Sequence, residues 1–452
     1  MKLPALMIAT LISSVCFAFD CYPDSDNPYV WHVRADGNDS NEGHSYQTGL
    51  ATIQAAVNAA SNGDSIFIWP GIYTEEVNNT KVLNIYGAHK SATKITSSTG
   101  CPLTLKTGSD GSYVKGISLY SSSADFNGKG LYAAYIKNFT IEDCTAAAPF
   151  DAIYVVGSSN FRIYKSNFIG HYDGGNFSNA SNFIARDCFF EADGTYGTGS
   201  PSRSLYASGA RGTFENCSFT AVRDDSSSQT LAGISTFGGS HGANLIFSKC
   251  NFYAYNGLSD TGICAGAEIA RAGDLVNFSE CIFSVPGQKG SIYGVYNNGG
   301  RVVLTNSSLY ANGISPTERF YVKNLSGSIV INGCFYSTST TNGVSGTITQ
   351  MDSGWSSAVA SIVDANSKPS TILTAISGND SNNETRWSSA LAAISAADAN
   401  IADKIQNING VTDVNSLNDN LNEMRSDINY IREQTRRVWF ALQKLFLVLL
   451  GR

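Results

Sequence analysis

Residues 139–146 read Phe-Thr-Ile-Glu-Asp-Cys-Thr-Ala, and a phrase of this form occurs eight times between Asn138 and Thr338. The copies align on one cysteine or serine and follow one another at intervals of 22 to 33 residues. An apolar residue stands three positions before the aligned residue, and another, most often phenylalanine, stands two positions after it. The aligned residues are Cys144, Ser166, Cys188, Cys217, Cys250, Cys281, Ser307 and Cys334. Repetition at this period indicates a solenoid with one coil for each copy.

The apolar positions describe three short strands in each coil. Apolar residues five and three positions before the aligned residue indicate one strand with a single inward face. The aligned residue and the one two places later form a second inward pair of shifted parity, so a tight bend separates the two strands. Asn, Asp, Lys, Glu or Gly occupy this bend, as suits an exposed turn. We also expect left-handed backbone at Asn138, Asn160, Asn182 and Asn244, which start four coils.

A third strand precedes the phrase in most copies. These strands are predicted around Leu131, Ile153, Leu205, Ile234, Ile263, Ile292 and Phe320. Three short strands in each turn, stacked in parallel, predict an all-β fold, a right-handed parallel β-helix.

Six of the aligned residues are cysteines on the inward side. Stacked parallel strands lie about 4.8 Å apart, slightly beyond the roughly 3.5–4.5 Å between Cβ atoms that a disulfide requires. A ladder of small buried thiols is therefore favoured over a ladder of disulfides. A metal site is less favoured still, because no His or carboxylate joins the row.

The composition and the N-terminal segment limit the class of protein to which the chain can belong. The 452 residues carry a net charge of −7 and no Lys/Arg cluster, which argues against nucleic acid as a partner. We predict no cofactor and no metal.

Lys2, the apolar run to Phe19 and small residues around Ala18 predict a signal peptide at residues 1–18 and hence export, with an uncleaved anchor as the alternative. Cleavage would leave nine cysteines, so at least one would stay free or pair between chains.

The segment after Tyr29 predicts a helix that caps the N-terminal end of the solenoid. Ile53, Val57 and Ala60 form one face of a short amphipathic helix, which would cover core at the open end. This opening segment and the repeats together, residues 29–338, resemble secreted β-helix proteins of the pectin-lyase-like superfold, which include pectin methylesterases and polysaccharide lyases. The resemblance implies the fold but only a range of functions.

Catalytic elements of that superfold are missing. The Gln-Asp pair, the Asp-Phe-Ile-Phe-Gly element and the Asn-Thr-Asp and Gly-Asp-Asp elements do not occur. The nearest approach, at Gly170–Gly174, contains Asp173 but lacks a partner carboxylate in the sequence. Residues 36–42 are acidic, yet their spacing does not fit an EF-hand, so a hydrated turn is favoured over a calcium site.

The resemblance places a ligand along the sheet of third strands, between the loops that follow the Cys/Ser strand. Outward tyrosines on that sheet offer flat rings to a sugar, although a purely structural stack is the alternative. The candidate ligand-binding residues are Tyr132, Tyr154, Tyr206, Tyr293 and Tyr321. Charged residues of the long loops are expected to be solvated surface, and Arg223, Asp224 and Asp225 are weak candidates for acid–base catalysis. Asp193, Tyr196, Arg203 and His241 lie in the same region.

The C-terminal third contains no further copy. Residues 339–400 are rich in Ser, Asn and Ala and predict a linker with short helices near Trp355 and Trp387. Residues 401–437 predict a coiled coil, whose apolar heptad positions continue from Val414 to Leu449. Ile at both core positions of a heptad favours a parallel trimer over a parallel dimer. The other alternative is a single helix that packs on its own solenoid.

The last segment, 438–452, is apolar on nearly all sides from Val438 to Leu450. Its apolar run reaches only about 20 Å, less than the roughly 30 Å of a bilayer core. We expect an anchor that dips into a membrane or enters a hydrophobic partner, although it could also thicken the helical bundle. The arrangement is similar to phage attachment and tail-spike proteins and to bacterial adhesins. It predicts a trimeric attachment protein on a cell envelope or virion that binds a glycan or other receptor; a secreted lyase, esterase or hydrolase and a purely structural surface protein are the alternatives.

Overall fold

The computed structural model describes residues 28–123, 127–194, 201–223, 230–236, 242–257, 262–286, 290–311, 316, 318–336, 344–345 and 348–350. The predicted signal peptide (1–18), coiled coil (401–437) and anchor (438–452) lie outside these residues, as does most of the predicted linker (339–400). Within the part described, no helix has the length and apolarity needed to cross a membrane.

Each coil of the chain contributes strands to three parallel sheets. The first sheet contains β4 (Val77–Asn79), β7 (Leu103–Leu105), β10 (Leu131–Ala134), β13 (Asp151–Val156), β16 (Asp173–Ser178), β19 (Ser202–Ser208), β22 (Leu231–Ser235), β25 (Ile263–Ile269), the first parts of β28 (Ser291–Thr305) and β30 (Glu318–Asn332), and β32 (Val344–Ser345). The second sheet contains β1 (Val30–Val33), β2 (Ser65–Ile68), β5 (Asn84–Gly87), β8 (Tyr113–Lys115), β11 (Thr140–Glu142), β14 (Arg162–Tyr164), β17 (Ser181–Arg186), β20 (Arg211–Glu215), β23 (Asn244–Ser248), β26 (Leu275–Ser279), the last parts of β28 and β30, and β33 (Ile348–Gln350). The third sheet contains β3 (Gly71–Thr74), β6 (Thr93–Ser97), β9 (Ser118–Ser121), β12 (Thr145–Ala148), β15 (Asn167–Gly170), β18 (Phe189–Ala192), β21 (Ser218–Arg223), β24 (Asn251–Asn256), β27 (Ile282–Val285), β29 (Ser308–Ala311) and β31 (Phe335–Tyr336). The fold is a right-handed parallel β-helix, as predicted.

The bend between the second and third sheets is made by the residue just before each aligned cysteine or serine. In all eight copies this residue has a positive φ, between 48° and 61°. The eight residues are Asp143, Lys165, Asp187, Asn216, Lys249, Glu280, Asn306 and Gly333. One left-handed residue turns the chain without a loop, so the strands on both sides direct their apolar residues into the same core. This confirms the bend that the shifted parity predicted.

Thiols and phenylalanine rings fill the core. All six aligned cysteines are free and buried, as the thiol ladder predicted, and their sulfurs donate to main-chain carbonyls, as Cys217 Sγ does to Glu215 O at 3.4 Å. Rings of successive coils stack in columns: the centroids of Phe190 and Phe219 are 5.3 Å apart, and those of Phe219 and Phe252 5.1 Å. The core is therefore a continuous column in which each ring packs on its counterparts in adjacent coils.

A helix packs on the first strands, as predicted. This helix, α1 (Ile53–Ala59), buries Ile53, Ala56 and Val57 in the core. The Glu75 carboxylate accepts hydrogen bonds from the amides of Ile53 and Gln54 at its N-terminus. The Lys81 ammonium donates to three carbonyls at its C-terminus, those of Val57, Asn58 and Ala60. Both ends of the helix thus receive the charge that their unpaired backbone groups favour.

The coil stack differs from the sequence prediction at three places. Asn138, Asn160 and Asn182 have left-handed backbone, but Asn244 does not, because it is a paired strand residue of β23 opposite Arg211. Coils within the predicted 29–338 span also precede the first copy, where the repeat pattern did not mark them: Ile117 stands one residue before the Ser118–Thr145 pair, in the place of Cys144, and is neither Cys nor Ser. Beyond residue 338, β32 and β33 pair in parallel with β30.

Candidate functional site

The outer face of the first sheet carries two rows of side chains, set by the strand register. One row begins with two adjacent tyrosines. It consists of Tyr132, Tyr154, Asn176, Tyr206, Ser235, Glu268, Tyr296 and Lys323. The second row lies beside it and begins with two carboxylates. It consists of Asp151, Asp173, Arg203, Ala232, Ala265, Tyr293 and Phe320.

Three of the five predicted tyrosines lie in the first row, where their rings are half-buried. Tyr132 and Tyr154 stack with centroids 5.4 Å apart and an interplanar angle of 22°. The Lys129 ammonium stands 5.5 Å from the centroid of Tyr154 and 5.6 Å from that of Phe150. Phenol faces held in a stack, with a cation beside them, form a flat and polar-edged surface.

Two of the predicted tyrosines do not lie in this row. Tyr293 belongs to the second row, is 3% exposed and stacks on Tyr296 in a separate apolar cluster. Tyr321 is 7% exposed and packs with the main core. The sequence alignment failed here because β28 and β30 run through the corner between the first two sheets as continuous 15-residue strands. The Ile-Tyr and Phe-Tyr pattern at residues 292–293 and 320–321 therefore does not mark the first row, which continues at Tyr296 in β28 and Lys323 in β30.

A buried ion pair lies between aromatic rings in the second row. The Arg203 guanidinium donates to both oxygens of Asp173, from Nε at 2.8 Å and from Nη2 at 2.9 Å. Its Cζ lies 4.2 Å from the ring centroid of Tyr206 and 5.2 Å from that of Tyr172. Tyr172 in turn stacks on Phe150 at 4.7 Å. Arg203 is thus an ordered, buried residue and not the solvated loop residue that the sequence predicted.

Asp151 is a second buried carboxylate, paired in register with Asp173 on the next coil. Its Oδ2 accepts a hydrogen bond from Asn176 Nδ2 at 3.3 Å. Its Oδ1 is buried and has no hydrogen-bond partner among the residues described. Burial, and next the charge of Asp173, raise the pKa of Asp151 well above its usual value. Burial also raises the pKa of Asp173 to about 6, although Arg203 acts in the opposite direction.

The site therefore contains two adjacent carboxyl groups in different environments. Asp173 is held by a guanidinium, whereas Asp151 has one weak amide partner and is the group that holds a proton more firmly. Two adjacent carboxyl groups in unlike environments are the arrangement that acid–base chemistry uses. The partner carboxylate that the sequence lacked near Asp173 is Asp151, which stands 22 residues earlier, the interval of one coil in this part of the chain.

A histidine–aspartate pair lies in the turns that follow the third sheet and border these rows. His171 Nδ1 is 2.7 Å from Asp193 Oδ1 and 2.8 Å from Oδ2. This hydrogen bond raises the pKa of His171. Farther along the sheet, Glu268 accepts a hydrogen bond from Ser235 Oγ at 2.8 Å, and burial raises its pKa.

Of the three weak catalytic candidates, the structure describes Arg223 alone. Arg223 is 1% exposed at the end of β21, and Asp224, Asp225, Tyr196 and His241 lie outside the description. Within the described ranges, no group of three or more His, Cys, Asp or Glu side chains is placed to hold a metal ion. Sequence reasoning also missed four residues of the site: Lys129, Phe150, Tyr172 and Asn176. A coil-by-coil alignment of the first sheet would have found Asn176, because it stands between Tyr154 and Tyr206 in the first row.

Comparison with known proteins finds similarity to solved structures. No protein-family model matches the sequence, and no curated protein matches it either. Solved structures do match. A pectate lyase is 15% identical with a TM-score of 0.41, over 71% of this chain and 77% of the lyase.

Two further matches have the same character. A pectin methylesterase from Erwinia chrysanthemi is 11% identical with a TM-score of 0.40, over 59% of this chain and 89% of the esterase. The enzymatically active domain of a bacteriophage tailspike protein is 12% identical with a TM-score of 0.36, over 67% of this chain and 44% of that domain. Likeness at these identities concerns the path of the backbone and carries no assignment of activity.

Proposed function

We propose that the outer face of the first sheet binds a glycan and that the protein serves attachment to a surface. The observation that carries this proposal is the pair of ring stacks, Tyr132 on Tyr154 and Phe150 on Tyr172, which form one aromatic platform around Lys129. Flat rings bind the C–H faces of sugars, and phenol hydroxyls and neighbouring amides bind sugar hydroxyls.

The scaffold holds this platform rigid. Tyr132 and Tyr154 are central residues of paired strands, and Arg203 is fixed by two hydrogen bonds between the rings of Tyr172 and Tyr206. A site whose side chains are ordered before the ligand arrives loses little conformational entropy on binding. The platform is short, because Tyr293 and Tyr296 are covered at the far end of the same sheet.

The remaining parts of the proposal concern segments outside the described residues. We propose export through the signal peptide at 1–18, and trimerisation through the Val414–Leu449 heptads. The apolar segment Val438–Leu450 would contact a membrane or a hydrophobic partner protein. Three platforms on one stalk would raise the avidity for a repetitive surface without any new contact. Truncation after Asn409 is expected to give a monomer in light scattering, and a trimer after truncation would contradict the stalk.

Glycan binding is tested by a matched pair of double variants. Tyr132→Ala/Tyr154→Ala removes the platform, whereas Tyr120→Ala/Tyr253→Ala removes two tyrosines that are 37% and 36% exposed on the third sheet. The purified protein is applied to a glycan array and to immobilised cell-surface polysaccharides. We expect the first variant to lose retention at least tenfold and the second to keep it. Equal retention by both variants would contradict the proposed site.

A second candidate function is cleavage of the bound glycan by a lyase, esterase or hydrolase activity. The specific observation that favours it is the buried carboxyl pair Asp151 and Asp173 beside the platform, in which burial raises both pKa values and a guanidinium is hydrogen-bonded to Asp173. An enzyme would release reducing ends, methanol or unsaturated products from a polysaccharide, and Asp151→Asn should abolish this release while binding persists. Retention without any product favours attachment, and a purely structural protein would show neither.

A further inference from the structure

We propose that a cleft at the N-terminal end of the β-helix is a second carbohydrate site, which takes one neutral pyranose ring. The cleft is lined by Arg34, Ala35, Asp36, Tyr46, Trp69 and Pro70. One wall of the cleft is formed by residues that follow β1, and the other by residues of the turn from β2 to β3. The cleft is therefore at the corner between the second and third sheets, whereas the tyrosine platform is on the first sheet.

Two aromatic rings meet at nearly a right angle in this cleft. The ring centroids of Tyr46 and Trp69 are 4.5 Å apart with an interplanar angle of 74°. Tyr46 is 42% exposed and lines the cleft. A corner made of two rings offers one face to the C–H surface of a pyranose and a second surface to its edge. A flat aromatic ligand would fill only one of the two.

The rings are held in place by polar contacts behind them. The Arg34 guanidinium lies 4.1 Å from the centroid of Tyr46 and donates to the Tyr46 carbonyl at 2.7 Å. The indole N–H of Trp69 donates to Nδ1 of His32 at 3.2 Å. His32 is buried, and burial lowers its pKa, so its ring is neutral and Nδ1 is the acceptor. Because its N–H is engaged, Trp69 offers a ligand its ring surface. The geometry exists before a ligand binds, which reduces the entropic cost of binding.

The charge at the rim selects the kind of sugar. The Asp36 side chain is 76% exposed and accepts from Arg34 Nε at 3.0 Å and Nη2 at 2.7 Å. The hydrogen bond with Arg34 lowers the pKa of Asp36, so this carboxylate stays ionised. Its remaining lone pairs accept hydrogen bonds from sugar hydroxyls, and charge-assisted bonds of this kind are the stronger ones. The one cation lining the cleft is already bound to Asp36, so an acidic sugar would meet a like charge.

The test uses the full chain in the Tyr132→Ala/Tyr154→Ala background, so that the signal reports the cleft and not the platform. Saturation-transfer NMR is recorded with the methyl glycosides of glucose, galactose, mannose and N-acetylglucosamine, and with methyl glucuronide. We expect saturable binding of at least one neutral glycoside and at least tenfold weaker binding of the glucuronide. Tyr46→Ala and Asp36→Asn should each weaken binding of the neutral glycoside at least tenfold, while the circular dichroism spectrum stays unchanged.

Three results would overturn the proposal: no saturable signal from any neutral glycoside, preferred binding of methyl glucuronide, or undiminished binding by Tyr46→Ala. Each site has its own variants. Loss of glycan binding at the platform can therefore be distinguished from loss of binding at the cleft.

Discussion

Replacement of Arg203 by methionine tests whether the buried ion pair stabilises the site. The substitution keeps most of the side-chain volume but removes both hydrogen bonds to Asp173, which is fully buried. Removing one partner of a buried pair costs about 3–5 kcal/mol, because the other charge stays buried without compensation. We expect a loss of this size in the free energy of unfolding at pH 7.5, measured by urea denaturation followed by circular dichroism.

A second salt bridge in the same fold provides the control. Arg186 Nη2 lies 2.6 Å from Glu215 Oε2, but these side chains are 49% and 40% exposed. The bond is as short as that of Arg203, yet water solvates both charges, so Arg186→Met should change stability little. A comparison of the two variants therefore isolates the effect of burial from the effect of losing an arginine.

The pH dependence of the Arg203→Met deficit supplies a further check. Burial already raises the pKa of Asp173 to about 6, and loss of the guanidinium raises it more. A carboxyl group with a higher pKa in the folded state binds a proton on folding, so stability falls as pH rises toward that pKa, by about 1.4 kcal/mol per pH unit. The deficit should be smaller at pH 5 than at pH 7.5 and should grow from pH 6 to pH 8. A deficit that is independent of pH, or no larger than that of Arg186→Met, would refute the reasoning.

Three other predictions follow from the site and the core. Asp151→Asn should lower stability far less than Arg203→Met, since burial and the charge of Asp173 raise the pKa of Asp151 and a neutral amide avoids the cost of a buried charge; a loss in urea denaturation comparable to that of Arg203→Met would contradict this. Lys249→Val should lower stability by about 1 kcal/mol, because a β-branched residue is strained at a φ of 56°, whereas Lys249→Asn should not. The six core thiols should resist iodoacetamide at pH 8 until denaturant is added, because they are buried and burial raises the pKa of Cys144 to about 12; mass spectrometry of the native protein detecting alkylated Cys144 or Cys250 would contradict this.

The repeat made the core and its bends predictable from sequence. The aligned cysteine, the apolar residues around it and the turn residue before it each depend on neighbours within a few positions, and the turn residue is left-handed in all eight copies. The first sheet was harder, because the corner before the second sheet varies in length and disappears in β28 and β30. For this reason Tyr132, Tyr154 and Tyr206 were placed in the correct row while Tyr293 and Tyr321 were not.

The pairing of Asp151 with Asp173 could not be recognised by any local motif. The two residues are adjacent only because the coil between them has a length of 22 residues, so the contact depends on the register of whole coils. Arg203 illustrates the same limit. Its partner Asp173 and the ring of Tyr172 come from the preceding coil, and in sequence Arg203 stands in a polar segment that reads as exposed.

The phenylalanine columns make the energetics of this core close to one-dimensional. The Phe219 ring is stacked with Phe190 on one side and Phe252 on the other, so damage to one coil is felt mainly by its immediate neighbours. Free-energy changes from substitutions several coils apart should therefore add, whereas those in adjacent coils should show coupling. By the same logic, the gain or loss of an entire coil would alter the length of the domain while leaving the packing of every other interface intact.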